Sequence, residues 1–250
     1  MGQYLGQHFL TNPDVVRDIL LASEIEKNEN VLEIGPGTGV LTEALLGAGA
    51  HVIAVEKDIQ LIRYLETRFP NEIISGQLKL VAGDVLHLPF NIYDLTFKIV
   101  ANIPYYITGK FLRMIFEQEH LPEKVVLLIQ REVAERIVVK DGKESILSIS
   151  IKAYGEPSIV RYVPQDNFEP VPDVDSAVLL IGSISRQFFT AVKPLRKIDE
   201  QKFFDLVKRG FAHKRKKLSR NLEIEGLGNK RAEELSLNDW RELYLLSTLN

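Results

Sequence analysis

Short apolar runs alternate with stretches of helical spacing along the first three-quarters of the chain. VLEIG (31–35), HVIAVE (51–56), LKLVAGD (78–84), FKIVANI (97–103) and KVVLLIQ (124–130) are rich in branched residues and nearly unbroken by polar ones, the pattern of strands buried on both faces. Between them lie segments with apolar positions three and four apart. From Asn12 to Ser23 these are Val15, Val16, Ile19 and Leu20 behind a Thr-Asn-Pro start, and LTEALLGAG (41–49), IQLIRYLETRF (59–69) and GKFLRMIFEQE (109–119) follow suit. Strands separated by helices at this spacing predict a parallel sheet covered on both faces. SIVRYV (158–163) and AVLLIGSI (177–184) read as a closing pair of strands, while ILSISIKAY (146–154) fits either a strand or a buried helix. After Ile184 the pattern is helical only, in DEQKFFDLVKRGF, RKKLSRNL and LNDWRELYLLSTL, which predicts a domain of residues 1–185 and a helical one of 186–250.

Composition changes this picture in one respect. The 250 residues are 45% hydrophobic and 26% charged, as in an ordinary globular protein. There are no cysteines, which excludes disulfides and thiolate metal sites and suits a reducing cytoplasm. The five histidines, at 8, 51, 87, 120 and 213, have no ligand spacing, so no metal is expected. No signal peptide, membrane span or internal repeat is read in the chain. The net charge of −3 conceals an asymmetry: residues 1–186 carry 17 Lys/Arg against 25 Asp/Glu, and residues 187–250 carry 14 against 9. A basic second part implies a polyanionic partner.

The chemistry gathers at strand ends. EIGPGTG (33–39) is a glycine-rich strand-to-helix turn in which Gly35 and Gly37 let the backbone approach a ligand. Its G-x-G-x-G spacing departs from the G-x-G-x-x-G of dinucleotide binders, and no P-loop Lys-Ser/Thr follows. Glu56 closes the second strand, where a carboxylate can accept bonds from both hydroxyls of a ribose. Asp84 closes the third, where it can accept from an adenine amino group. This combination fits an adenosine without phosphates, as in S-adenosyl-L-methionine, better than a dinucleotide.

NIPYY (102–106) closes the fourth strand at the same edge. An adenine amine is a poor nucleophile because its lone pair is delocalised into the ring. The Asn102 oxygen and a backbone carbonyl near Pro104 can each accept one of its N–H bonds and draw the nitrogen toward tetrahedral geometry. Proline fixes those carbonyls and Tyr105 offers a stacking face. Placement of dipoles does this work without a strong base.

These residues resemble a known family, the ribosomal RNA adenine N6-dimethyltransferases, whose branches include KsgA and the Erm enzymes. LGQHFL (5–10) is similar to the family's GQNFL motif, and EIGPGTGVLT, VEKD, GDVL, NIPYY, QREVAER (130–136) and FEPVPDVDSAV (168–178) match in order and spacing. The resemblance implies a class I methyltransferase fold, Rossmann-like, with a mostly parallel seven-stranded sheet and a small all-α C-terminal domain. It implies cofactor contacts at His8, Leu10, Gly35, Gly37, Glu56, Asp84 and Asn102, and a catalytic group of Asn102, Pro104, Tyr105 and Phe168, with Phe168 across the target base. The chain departs from the family in having His8 where Asn is usual and in lacking basic residues just before that motif.

Seven Lys/Arg and no acid lie between Leu206 and Leu222: Lys208, Arg209, Lys214, Arg215, Lys216, Lys217 and Arg220. A solvated amphipathic helix explains part of this, but each cation that neutralises a phosphate adds salt-dependent affinity, so the segment is expected to bind RNA. It resembles the family's basic C-terminal signature, and the ending GLGNKRAEELSLNDW favours the KsgA branch. That branch implies dimethylation of two neighbouring adenines near the 3′ end of small-subunit RNA within an immature 30S particle; with no dimer stripe in the sequence, a cytoplasmic monomer is expected. The rivals are an Erm-type enzyme on large-subunit RNA, a non-catalytic assembly or RNA-binding factor, and a more distant NAD-dependent oxidoreductase.

Overall fold

The computed structural model describes residues 8–88, 96–139, 142–190, 197–213, 216–222 and 229–247. The chain divides into two compact units, Met1–Ala134 with Ser158–Ile184, and Glu135–Pro157 with Ser185–Asn250.

The first unit opens with β1 (Phe9–Leu10) and α1 (Pro13–Ser23). Asn12 caps that helix by accepting from Asp14 N at 2.8 Å, with Pro13 in the first turn. There follow β2 (Asn30–Ile34), α2 (Val40–Gly47), β3 (His51–Glu56), α3 (Ile59–Arg68), α4 (Pro70–Ile74), β4 (Leu78–Ala82), β5 (Phe97–Asn102), α5 (Thr108–Phe116), β6 (Lys124–Gln130) and α6 (Arg131–Val138), the last crossing into the second unit. After α7 (Ile146–Lys152) come β7 (Glu156–Val163), β8 (Phe168–Glu169) and β9 (Ser176–Gly182).

Seven strands form one sheet in the order β4-β3-β2-β5-β6-β9-β7. The pairs β4-β3, β3-β2, β2-β5 and β5-β6 are parallel, and β9 runs antiparallel to β6. The buried interiors of β5 and β6 are the apolar runs of the sequence, interrupted only by Lys98 in β5, which pairs with Glu29 at 2.7 Å. Strand order reverses between β2 and β5, so a crevice opens beyond their carboxyl ends, where Gly35 and Asn102 lie. A two-stranded sheet, β1 against β8, pairs Leu10 with Phe168 and was not foreseen from the sequence.

The second unit is built from α7, α8 (Glu200–Gly210), α9 (Leu218–Leu222) and α10 (Leu237–Ser247). The ambiguous ILSISIK segment is a helix. The division after Ile184 lies beside the expected one at residue 185, and residues 135–157 group in addition with the C-terminal helices. Tyr154 explains why: its ring stacks on Phe204 at 5.8 Å and its hydroxyl donates to Glu200 at 3.1 Å. Trp240 is fully buried and stacks on Phe211 at 5.7 Å, a core residue.

Candidate active site

The glycine turn takes backbone conformations that side chains resist. Gly35 and Gly37 have φ of +64° and +58°, and a Cβ on Gly37 would fall 2.9 Å from the Phe9 ring. A Cβ on Gly35 would stand 3.4 Å from the Asn102 carbonyl, which places the turn beside the end of β5.

Two carboxylates are buried beneath this turn. Glu56, only 4% exposed, accepts from Gly37 N at 3.3 Å and from Asp58 N at 2.9 Å. Burial raises its pKa and those backbone donors oppose the rise. Glu33, on β2, accepts from the Thr42 hydroxyl at 2.7 Å. Burial pushes its pKa up to about 8, and the nearby Glu56 charge adds to the effect. Sequence reasoning missed Glu33, although an acid inside an otherwise apolar strand was its signal.

Across the crevice, the Asn102 side-chain nitrogen donates to the His8 carbonyl at 3.4 Å. Among the described residues nothing donates to its oxygen, which is left as an acceptor. Pro104 O accepts from Ile107 N at 3.1 Å and starts a 3-10 turn over Tyr105–Ile107. The Tyr105 hydroxyl bonds to Ser176 Oγ at 2.8 Å, and its ring lies within 18° of parallel to that of His8, with centroids 6.3 Å apart. His8 Nδ1 is 2.7 Å from the Pro170 carbonyl. A carbonyl only accepts, so Nδ1 carries the hydrogen and Nε2 is the open acceptor of the neutral ring.

His8, Leu10, Gly35, Gly37, Glu56, Asn102, Pro104 and Tyr105 all line one cleft, joined by Glu33. The cleft opens to solvent at its mouth.

Two expected members do not line it. Asp84 accepts from Leu86 N at 3.0 Å and from Lys57 Nζ at 3.2 Å. The Leu86 amide does most to lower its pKa, against an opposing burial, and Lys57 and His87 add to the lowering. Phe168 is 3% exposed and belongs to the hydrophobic core with Leu10.

In the second unit, Lys208 pairs with Asp205 at 3.4 Å, Arg209 donates to the Leu222 carbonyl at 3.3 Å, and Lys217 donates to Asn229 at 2.6 Å. Lys216 and Arg220 are exposed and make no ion pair among the described residues. Lys214 and Arg215 lie outside the described residues. Among the described residues no group of three or more His, Asp or Glu is arranged to hold a metal, and no helix is long and apolar enough to cross a membrane.

A family model described as ribosomal RNA adenine dimethylase matches residues 2–242. A protein named ribosomal RNA small subunit methyltransferase A, from Dehalococcoides mccartyi, is 37% identical over 268 residues, covering 98% of this chain and 88% of that protein. One of the same name from Fusobacterium nucleatum is 36% identical over 256 residues, covering 95% and 94%. Among solved structures, a dimethyladenosine transferase from Plasmodium falciparum superposes with a TM-score of 0.80 at 26% identity, covering 97% of this chain and 98% of that one. The 23S rRNA methyltransferase ErmE gives 0.75 at 22% identity over 95% and 98%, a likeness of fold alone.

Proposed function

Because the chain belongs to the ribosomal RNA adenine dimethylase family, we propose that it methylates small-subunit ribosomal RNA, on the N6 of two neighbouring adenines near the 3′ end, using S-adenosyl-L-methionine. One observation carries the chemistry: buried Glu56, the glycine turn and the Asn102–Tyr105 turn converge on a single cleft. The choice of the small subunit rests on relatives of that name that align over nearly the whole chain, basic C-terminal unit included.

The residues present fit the cofactor. Gly35 and Gly37 leave open the space that side chains would fill, and Glu56 is fixed by two backbone donors with its carboxylate at the cleft. Glu56 would hold the ribose hydroxyls, with His8 and Leu10 closing the cleft opposite. When bound, S-adenosyl-L-methionine supplies an electrophilic methyl group on a positively charged sulfur.

Asn102 is oriented through its nitrogen by the His8 carbonyl and offers its oxygen to one hydrogen of the acceptor amine. A carbonyl of the Ile103–Pro104 segment takes the other, and Pro104 holds that segment rigid. Together they would localise the nitrogen lone pair toward the methyl group, so that the new N–C bond forms as the sulfur–methyl bond breaks with its electron pair returning to sulfur, and the ammonium so formed gives one proton to solvent. Tyr105 supplies the stacking face for a base drawn out of its helix. We assign this face to Tyr105 alone, since Phe168 packs in the core. Asp84 is assigned a supporting role at the end of β4, paired with Lys57. The basic segment 208–220 would contact RNA phosphates, and the substrate would be the immature 30S particle in the cytoplasm, engaged by a monomer.

The test offers the protein methyl-labelled cofactor with two substrates in parallel: small subunits from cells lacking the dimethyladenines, and naked large-subunit RNA. Label recovered as dimethyladenosine in the small subunit supports the reading. Label confined to large-subunit RNA would move the assignment to the Erm branch.

A further inference from the structure

We infer that Ser176 is a positioning residue for methyl transfer, holding the Tyr105 ring in place beside Asn102 through the bond between their hydroxyls. The inference rests on Tyr105 as the stacking face for the acceptor base. Ser176 is the first residue of β9 and is fully buried, opposite Gln130 in the antiparallel pairing with β6. The ladder continues beyond it, with Arg131 N donating to Asp175 O at 2.9 Å. Its backbone is therefore fixed by the sheet, and its hydroxyl faces that of Tyr105 at 2.8 Å, 71 residues away in sequence.

The topology gives this bond its importance. Tyr105 sits on the turn leaving β5, and β6 separates β5 from β9. The bond thus spans the tip of β6 and ties the turn that carries Asn102 and Pro104 to the rigid start of β9. A tyrosine ring anchored at both Cα and hydroxyl has few orientations left, so its face is set before a base arrives. Stacking alone calls for a ring and no hydroxyl, and a buried serine at the head of an apolar strand calls for no partner so remote. The acceptor nitrogen must approach the methyl carbon in line, and a small tilt of the stacking face moves it off that line.

A double-mutant cycle tests the role, run on whichever ribosomal RNA the wild-type protein methylates. Failure of the small-subunit reading therefore leaves the cycle intact. Ser176→Ala and Tyr105→Phe should each lower kcat at saturating RNA by about three- to tenfold, the range of one lost hydrogen bond, with cofactor Kd unchanged. The double variant should be no slower than Tyr105→Phe alone, because both remove the same bond. Ser176→Thr, which keeps the hydroxyl, should recover most of the rate. Multiplying effects in the double variant, or a loss confined to cofactor affinity, would overturn the inference. Should Ser176→Ala fail to fold, Tyr105→Phe decides, since it keeps the ring and removes only the bond; a wild-type rate in that variant would overturn it equally.

Discussion

Glu33 shows how much chemistry one side chain in the sheet can hold. It is buried beneath the glycine turn, where the Thr42 hydroxyl donates to it, and burial pushes its pKa up to about 8 from an ordinary 4.5. The folded chain therefore keeps a proton that the unfolded chain gives up above pH 4.5. The stabilising contribution of the neutral acid is complete below that point and is lost as pH rises toward 8. At its steepest this costs about 1.4 kcal/mol per pH unit, one proton's worth. Glu33→Gln should flatten the stability profile of the ligand-free protein between pH 5 and 8, measured by urea unfolding at a series of pH values. Parallel profiles for wild type and variant would show that Glu33 does not titrate there. At the residue scale, the sequence singled out residues that the fold brings to one cleft, although their roles there are proposals. Gly35, Gly37, Glu56, Asn102 and Tyr105 all reach the cleft. Asp84 and Phe168 do not line it, and their partners Lys57 and Leu10 come from distant parts of the chain that no local pattern shows.

At the scale of elements, strands buried on both faces were legible because their composition leaves no other use for so many branched residues. The helix α7 was not, for a physical reason. Ser148 is buried and satisfied by Glu144 and Ser145, so the polar positions of ILSISIK mark internal hydrogen bonds rather than a solvent face. The β1–β8 pair was equally hidden, being two residues long and joined across most of the first unit's sequence. In the second unit, α8 ends against α10 at one close point. A Cβ on Gly210 would fall 2.2 Å from the far edge of the Trp240 indole, itself held by Phe211. Gly210→Ala should destabilise the protein by about 1–3 kcal/mol through overpacking, read as a lowered denaturant midpoint. An unchanged midpoint would mean that the indole moves aside freely.

For the molecule as a whole, charge and chemistry are divided between the parts. The cleft lies in the acidic part of the chain, and the excess of cations falls after residue 186. Phosphate contacts should therefore come from the basic segment. Replacing Lys214, Arg215, Lys216 and Lys217 by Gln should weaken RNA binding and reduce the salt slope by up to about 0.9 per lost phosphate contact, with cofactor affinity unchanged. A slope equal to wild type would place the phosphates on other residues. The discontinuous second unit was beyond sequence reasoning, because residues 135–157 carry no basic bias and join the C-terminal helices through contacts distant in sequence, such as Tyr154 with Phe204 and Glu144 N with Glu233 O. The central claim is that the Asn102 clamp performs methyl transfer in this cleft, and one comparison addresses it directly. Wild type and Asn102→Ala are given unmethylated small subunits with labelled cofactor, and cofactor Kd is measured alongside. Wild type should deposit label as dimethyladenosine, and the variant should be slower by about a hundredfold or more, as when one preorganised polar group is removed, with Kd within roughly threefold. A variant that turns over at the wild-type rate would contradict the account.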